Sequence, residues 1–180
     1  AESLGDRVRL ADPVLEVNQS DGGVSVRTVT GVVRARRAII TVPPAALDSI
    51  EFAPALPSSR RGWVTASVMG KVAKVHAFYP TPFWRADGLA GIATLYDAGP
   101  VGVTFDNSPA DGSCGVLVGF VYGERVDRWA ALDTGARRSA VLRSLASVVG
   151  PRALTPTDYC EKNWAGDPYA RGGYEAFAAP

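Results

Sequence analysis

Lys74 is the residue whose position in this sequence most clearly suggests chemistry. Residues 71–79 alternate between apolar and polar positions as a β-strand does. The face that holds Lys74 also carries Val72, His76 and Phe78. A lysine on such a partly buried face either extends its ammonium group to water or gives up hydration, and in the second case it can transfer a proton or orient a water molecule. The alternation alone leaves both alternatives open.

The segment 162–174 (KNWAGDPYARGGY) is the second candidate. Two adjacent glycines would let its backbone approach a flat ligand, and three aromatic side chains offer faces against which a ring or an amine can pack. The alternative is a glycine-rich turn that aromatic side chains hold in place. The residues concerned are Trp164, Tyr169, Gly172, Gly173 and Tyr174.

Other kinds of catalytic site find little support in the sequence. His76 is the only histidine, so a Ser/His/Asp triad is not indicated, and the acidic residues are scattered rather than paired. Cys114 and Cys160 lack the spacing of a zinc site or a disulfide framework, so we expect no bound metal. Neither of the glycine-rich phosphate-binding motifs, G-x-G-x-x-G and G-x-x-x-x-G-K-[ST], occurs in the sequence. Any nucleotide cofactor would therefore need residues outside these 180.

Composition narrows the class of protein. The 180 residues are 47% apolar and 21% charged, with a net charge of +1, which is typical of a globular chain of one domain, or one domain and a fragment. A charge so close to neutral argues against a nucleic-acid partner. No apolar run approaches the roughly 20 residues that span a bilayer, so the sequence gives no evidence of a membrane segment.

The elements that would position these residues are mostly strands. Short β-branched segments between turn residues predict a β-meander in the first forty residues, and later strands are predicted to pair antiparallel. Helices are predicted from Ser58 to about residue 68, over 124–132, and over 136–149 after an N-cap at Asp133 or Thr134. The sequence thus predicts an α+β fold, a mostly antiparallel sheet backed by helices. The predicted strands cover 7–10, 14–17, 24–29, 38–42, 71–79, 91–96, 101–105, 115–122 and 159–164.

Several segments, in order along nearly the whole chain, resemble the flavin-containing monoamine oxidase family. They are similar to the family's passage from its FAD-binding domain into its substrate domain, to the central strand of the substrate domain with the loop that follows, and to the return to the flavin. In chain order they are 7–14, 38–44 (AIITVPP), 50–57 (IEFAPALP), 69–75 (MGKVAKV), 82–85 (PFWR), 163–164 (NW) and 169–174 (YARGGY).

The resemblance implies three segments and an activity. Residues 1–44 would be a β-meander of the FAD-binding domain, 45–162 the substrate-binding α+β domain, and 163–180 the return to the FAD-binding domain. The parent enzyme would oxidise a primary or other small amine to an imine, passing a hydride equivalent to FAD, which O₂ reoxidises. Both ends read as cut from a longer chain, so we expect this chain alone to be inactive.

The resemblance also assigns roles to three side chains. The lysine that matches Lys74 holds a water near the flavin N5 atom and assists the flavin half-reactions. Tyr174 would be one wall of an aromatic cage that guides the amine to the flavin. Trp164 would pack beside the flavin ring.

Four further positions would contact FAD. Val14 would touch the adenine half through its backbone, with Pro43 nearby, and Gly172 and Gly173 would lie against the cofactor. Animal monoamine oxidases carry a cysteine bonded covalently to FAD at the position of Gly173. A glycine there implies FAD that is held non-covalently.

Alternatives remain open at this point. The chain could belong to another flavin oxidoreductase of the superfamily, such as an L-amino-acid oxidase, a polyamine oxidase or a carotenoid desaturase. It could also be a non-catalytic α+β binding module, with Lys74 solvated and Gly172–Gly173 a plain turn. The expected partners are a small amine and the remainder of the FAD-binding domain, a homodimer is one assembly the sequence allows, and a cytoplasmic location is the expectation for the parent.

Overall fold

The structure is a computed structural model that describes residues 3–178. Two compact units make up the chain. The first comprises the residues up to Val68 together with those from Ala176 onward, and the second is Met69–Glu175. These boundaries differ from the positions 44 and 162 that divide the sequence by resemblance. Which segments belong to the FAD-binding domain stays a prediction.

A four-stranded sheet forms most of the first unit. Strands β1 (Val14–Ser20), β2 (Gly23–Thr28) and β3 (Val32–Ala35) pair antiparallel in succession, and β4 (Glu51–Ala53) adds to β1 in parallel, giving the order β3-β2-β1-β4. Gly23 turns the first hairpin with a φ of 127°, a left-handed conformation that favours glycine. The predicted N-terminal β-meander is confirmed.

The helices of the first unit are short. They are the 3₁₀ turns Gly5–Arg7 and Pro44–Ser49 and the helix α1 (Ser58–Ala66). After α1, β5 (Ser67–Met69) pairs with the strand Ala176–Ala178. The strands predicted over 7–10 and 38–42 are wrong, and Ile39 is 91% exposed. A β-branched run becomes a strand only where a neighbouring backbone pairs with it, and no described strand does so.

The second unit is built on a five-stranded antiparallel sheet in the order β10-β6-β9-β8-β7. Its central pair is β6 against β9, with Lys74 opposite Phe120. The alternation that predicts β6 is confirmed by burial, because every second residue from Ala73 to Tyr79 is buried. The strands are β6 (Val72–Tyr79), β7 (Ala93–Thr94), β8 (Val103–Asp106), β9 (Gly115–Tyr122) and β10 (Asp158–Asn163).

Helices back one face of this sheet, as the sequence predicts. The helices are α2 (Phe83–Ala86), α3 (Glu124–Ala130) and α4 (Thr134–Val149), and Asp133 caps α4 by accepting a hydrogen bond from Ala136 N at 2.9 Å. Apolar residues of α3 and α4, such as Val126 and Leu145, join the buried face of β6 in one core. No helix within residues 3–178 combines the length and the apolar character needed to cross a bilayer.

Candidate functional site

Lys74 lies on the face of β6 opposite the helix-backed core. Strand pairing puts Lys162, Lys74, Phe120 and Val103 side by side across four strands, and directly opposite residues of a sheet share a face. Lys74 is half-buried, and its Nζ atom lies 5.4 Å from the centroid of the Phe120 ring. This open face therefore carries a cation against an aromatic ring.

The three lysines of the chain differ in their partners. Lys71 Nζ lies 2.6 Å from Asp127 Oδ2, and Lys162 Nζ lies 2.6 Å from Asp167 Oδ2. Lys74 has neither an ion pair nor a side-chain hydrogen bond among the described residues. A half-buried ammonium group without a protein acceptor remains available to a water molecule or a ligand atom.

His76 follows Lys74 on the same face. Burial, and second the nearby charge of Lys74, hold the pKa of His76 below its ordinary value of 6.5. The ring stacks with Phe78 at 6.3 Å between centroids, and Cys160 lies opposite on β10. Within the part of the chain that the structure describes, no three His, Cys, Asp or Glu side chains cluster as metal ligands do.

An apolar pocket of about 530 Å³ opens on this face. Phe120 lines the pocket, with Phe105 and Tyr174 each edge-on to its ring at 5.8 Å between ring centroids. Tyr174 is 73% exposed, and its partial burial raises the pKa of its hydroxyl group. The lining residues are Gly70, Lys71, Val72, Val103, Phe105, Phe120, Tyr122, Gly123, Gly173 and Tyr174.

A contact inside the protein explains Gly172, and Gly173 takes part in the same contact through its backbone. Gly173 N donates to Gly70 O at 2.8 Å, and Gly70 N donates to Glu175 O at 3.1 Å. Gly172 is buried with a φ of 143°, and a Cβ atom there would collide with Gly70 O. A Cβ atom on Gly70 would lie 2.5 Å from Gly173 O. The tail thus docks on the residues that precede β6, which brings Tyr174 to the pocket.

Asp167 holds the turn between β10 and these glycines. Its carboxylate accepts hydrogen bonds from Lys162 Nζ and from the backbone N atoms of Tyr169 and Ala170 at 2.6–3.0 Å. The hydrogen bond from Lys162, followed by those two, lowers the pKa of Asp167 to about 2. Trp164 follows directly after β10, and its backbone N atom donates a hydrogen bond to Val72 O at 3.0 Å.

The sequence-predicted site residues fall into two groups. Gly173 and Tyr174 line the pocket. Lys74 is not part of the lining, but its ammonium group contacts the ring of Phe120, which is. Gly172 and Trp164 belong to the docked tail, where Trp164 is 39% exposed with Lys162 Nζ 5.2 Å from its ring centroid. Val14 opens β1 and Pro43 precedes the 3₁₀ turn Pro44–Ser49, both in the first unit. Their cofactor-binding roles stay predictions.

Sequence reasoning predicted only Gly173 and Tyr174 of the pocket lining, and it missed all of the lining residues of β8 and β9. Phe120 and Tyr122 come from β9, and Val103 and Phe105 come from β8. Alternation along β9 could have placed Phe120 and Tyr122 on one face. Only the register between strands brings that face beside Lys74, and the sequence does not give the register.

Known proteins similar to this chain act on amines or amino acids. The chain is 36% identical over its whole length to an L-amino acid dehydrogenase of Synechocystis, of which it covers 38%. It is 34% identical over 99% of its length to the flavin-containing amine oxidase A of the dog, of which it covers 34%. The structure of a cyclohexylamine oxidase from Brevibacterium oxydans matches all of the chain with a TM-score of 0.91 at 32% identity, and 40% of that protein is covered.

The chain therefore spans a little over a third of the length of these relatives. The match to the family is nonetheless complete along the chain, since the model of the flavin containing amine oxidoreductases matches residues 1–180. This protein belongs to the flavin containing amine oxidoreductase family.

Proposed function

We propose that this chain supplies the substrate-binding part of an enzyme that oxidises a primary or other small amine to an imine. The observation that carries the proposal is the unpartnered ammonium group of Lys74 beside the aromatic pocket, in a chain that matches the family throughout. A homodimer and a cytoplasmic location belong to the same proposal. Light scattering after size-exclusion chromatography and cell fractionation test them.

The residues of the open face and of the docked tail fit FAD. Lys74 offers a hydrogen-bond donor that no described residue uses, and the exposed rings of Trp164 and Tyr174 offer faces to a flat heterocycle. Gly173 has no side chain that could bond a cofactor, which favours non-covalent FAD. Bound FAD would supply the acceptor for the hydride equivalent that leaves the amine α-carbon.

The protein's own residues would orient the amine and exclude water. Phe105, Phe120 and Tyr174 present apolar surface to the substituent of the amine. Lys71 brings the one charged group of the lining, and Asp127 neutralises it. Lys74 would hold a water molecule at its Nζ atom. A pocket of this kind favours an amine with an apolar substituent.

The first experiment is the visible absorbance spectrum of the purified full-length protein before and after acid precipitation. We expect a flavin spectrum that leaves with the supernatant. Flavin that stays with the pellet would contradict non-covalent attachment. A protein that takes up no flavin when incubated with FAD would favour the non-catalytic binding module.

The second experiment replaces Lys74. We expect Lys74→Met in the full-length protein to slow a flavin half-reaction about 100-fold, the lower end of what a positioned proton-transfer group contributes. Stopped-flow absorbance measures flavin reduction by the amine and reoxidation by O₂ separately. Arg143→Met removes an exposed cation of α4 and should leave both rates within about twofold. Equal rates in the Lys74 variant and the wild type would remove its catalytic role.

The similarity to the L-amino acid dehydrogenase supports a second candidate, oxidation of an L-amino acid. Such a substrate brings a carboxylate that needs a cation. Lys71 of the pocket is already paired with Asp127, which leaves Lys74, beside Phe120, as the cation that the carboxylate would need. Rates with paired substrates, each L-amino acid against the amine that lacks its carboxyl group, separate the two candidates. Faster turnover with an artificial electron acceptor than with O₂ would indicate a dehydrogenase.

A further inference from the structure

We infer that Tyr122 is the wall that limits the length of the amine substituent, and that Gly102 positions it. The inference rests on the proposed function, because it assigns the pocket to the amine. Tyr122 would set the specificity for the substituent, and Gly102 would act through Tyr122.

Tyr122 and Phe120 lie one after the other along the same strand of the pocket wall. Phe120, which lies opposite Lys74, and Tyr122, which lies opposite Val72, are two positions apart on β9. Two residues of an antiparallel strand span about 7 Å, close to the length of a phenyl ring with one methylene group. Both side chains line the pocket. A substituent that starts at Phe120 and runs along β9 therefore reaches Tyr122.

The ring of Tyr122 lies directly against Gly102. A Cβ atom on Gly102 would lie 2.5 Å from Cζ and 2.7 Å from Oη of Tyr122, closer than non-bonded atoms approach. Gly102 is buried, and its backbone is fixed on both sides. Its N atom donates to Phe120 O at 2.8 Å, and Leu95 N donates to its O atom at 2.8 Å. Only a residue without a side chain leaves room for the ring at this place.

No polar contact holds the ring of Tyr122 in place within the described residues. Tyr122 is 43% exposed, and its hydroxyl makes no hydrogen bond to any residue in the described part of the chain. Its position therefore depends on packing against Gly102 rather than on a polar partner. An alanine at position 102 would displace the ring, since the backbone of Gly102 is held and the far end of an exposed side chain is free to move.

The test uses the full-length protein and two probes, benzylamine and 4-phenylbutylamine. We expect Tyr122→Ala to raise the ratio of kcat/KM for the longer amine over the shorter one about 10-fold, the usual size of a steric effect in an apolar pocket. Tyr122→Phe keeps the ring and should keep the ratio. Tyr96→Ala, which removes a tyrosine that is 80% exposed and outside the pocket, is the matched control.

Gly102 is tested through its dependence on the ring. Gly102→Ala should change the ratio in the wild-type background and should have no effect on it once Tyr122→Ala is present, because the displaced group is then absent. Equal effects in both backgrounds would overturn the positioning role of Gly102.

Anaerobic calorimetry with the same two amines, on protein whose FAD has first been reduced with dithionite, gives their dissociation constants without turnover. An unchanged ratio in Tyr122→Ala, in binding and in kcat/KM, with amine oxidation intact, would overturn this inference and leave the proposed function standing. A wild-type protein that neither binds nor oxidises either amine would overturn both.

Discussion

The two faces of β6 teach how one strand divides between folding and function. Ala73, Val75 and Ala77 are fully buried against the helices. On the other face Lys74 and His76 are half-buried, and the neighbouring strand adds aromatic rings. Successive side chains of a strand point to opposite faces, so a single alternating segment supplies both. The covered face stabilises the fold, and the open face holds the groups that can meet a ligand.

The largest effect is expected from the covered face. Leu145 of α4 is fully buried, and Leu145→Ala should lower the free energy of unfolding by about 3 kcal/mol, through lost burial and the cavity left behind. The midpoint of thermal unfolding of the full-length protein measures the change, and KM for the amine should stay within about twofold. Leu154→Ala removes a leucine that is 45% exposed and is the control. A selective rise in KM without a lower midpoint would break the comparison between the faces.

A substitution on the open face is expected to lower activity rather than stability. Phe120→Ala removes the ring that contacts Lys74, Phe105 and Tyr174, and should lower kcat/KM for the amine about 30-fold, equivalent to about 2 kcal/mol. Steady-state kinetics with a single amine measure it.

The control for Phe120 is Phe78→Ala, on the same open face but outside the pocket. Its kcat/KM should change much less than that of Phe120→Ala. Equal losses in the two variants would mean that the pocket has no special role.

The division of β6 into a covered and an open face could be predicted from sequence. The alternation of apolar and polar residues that shows it depends only on neighbouring positions in the chain. The bounds of β9 and the two faces of β6 follow from residue order alone, and Asp133 is one of the two N-cap candidates that the sequence offers. The pocket could not be predicted in this way, since Phe105 and Phe120 meet Lys74 only through strand register.

The tail shows a different limit. The adjacent glycines suggest a close approach to a flat ligand or a glycine-rich turn, and the sequence does not decide between the two. The structure gives Gly70 as the neighbour of both Gly172 and Gly173. The strand predicted over 38–42 fails for a related reason, because pairing depends on a neighbour that a β-branched run does not specify.

The smallest effect tests whether the open face acts as one electrostatic unit. Burial and the charge of Lys74 both hold the pKa of His76 below 6.5. Lys74→Met removes the second cause only, so the pKa of His76 should rise and still remain below 6.5. A histidine signal followed by NMR against pH in the full-length protein, assigned by its loss in His76→Gln, measures the shift.

The double variant Lys162→Met with Asp167→Asn is the control for this titration. Lys162 is on the same face as Lys74, but Asp167 neutralises its charge, so removing both charges together should leave the pKa of His76 the same. The lowered pKa of His76 also makes the free energy of unfolding depend on pH. The unfolded chain binds the proton of His76 first as the pH falls, so stability is lost below pH 6.5 and down through the folded pKa. Removing Lys74 should make that loss smaller, whereas an unmoved titration would mean that the ammonium group of Lys74 is turned away from His76 and acts alone.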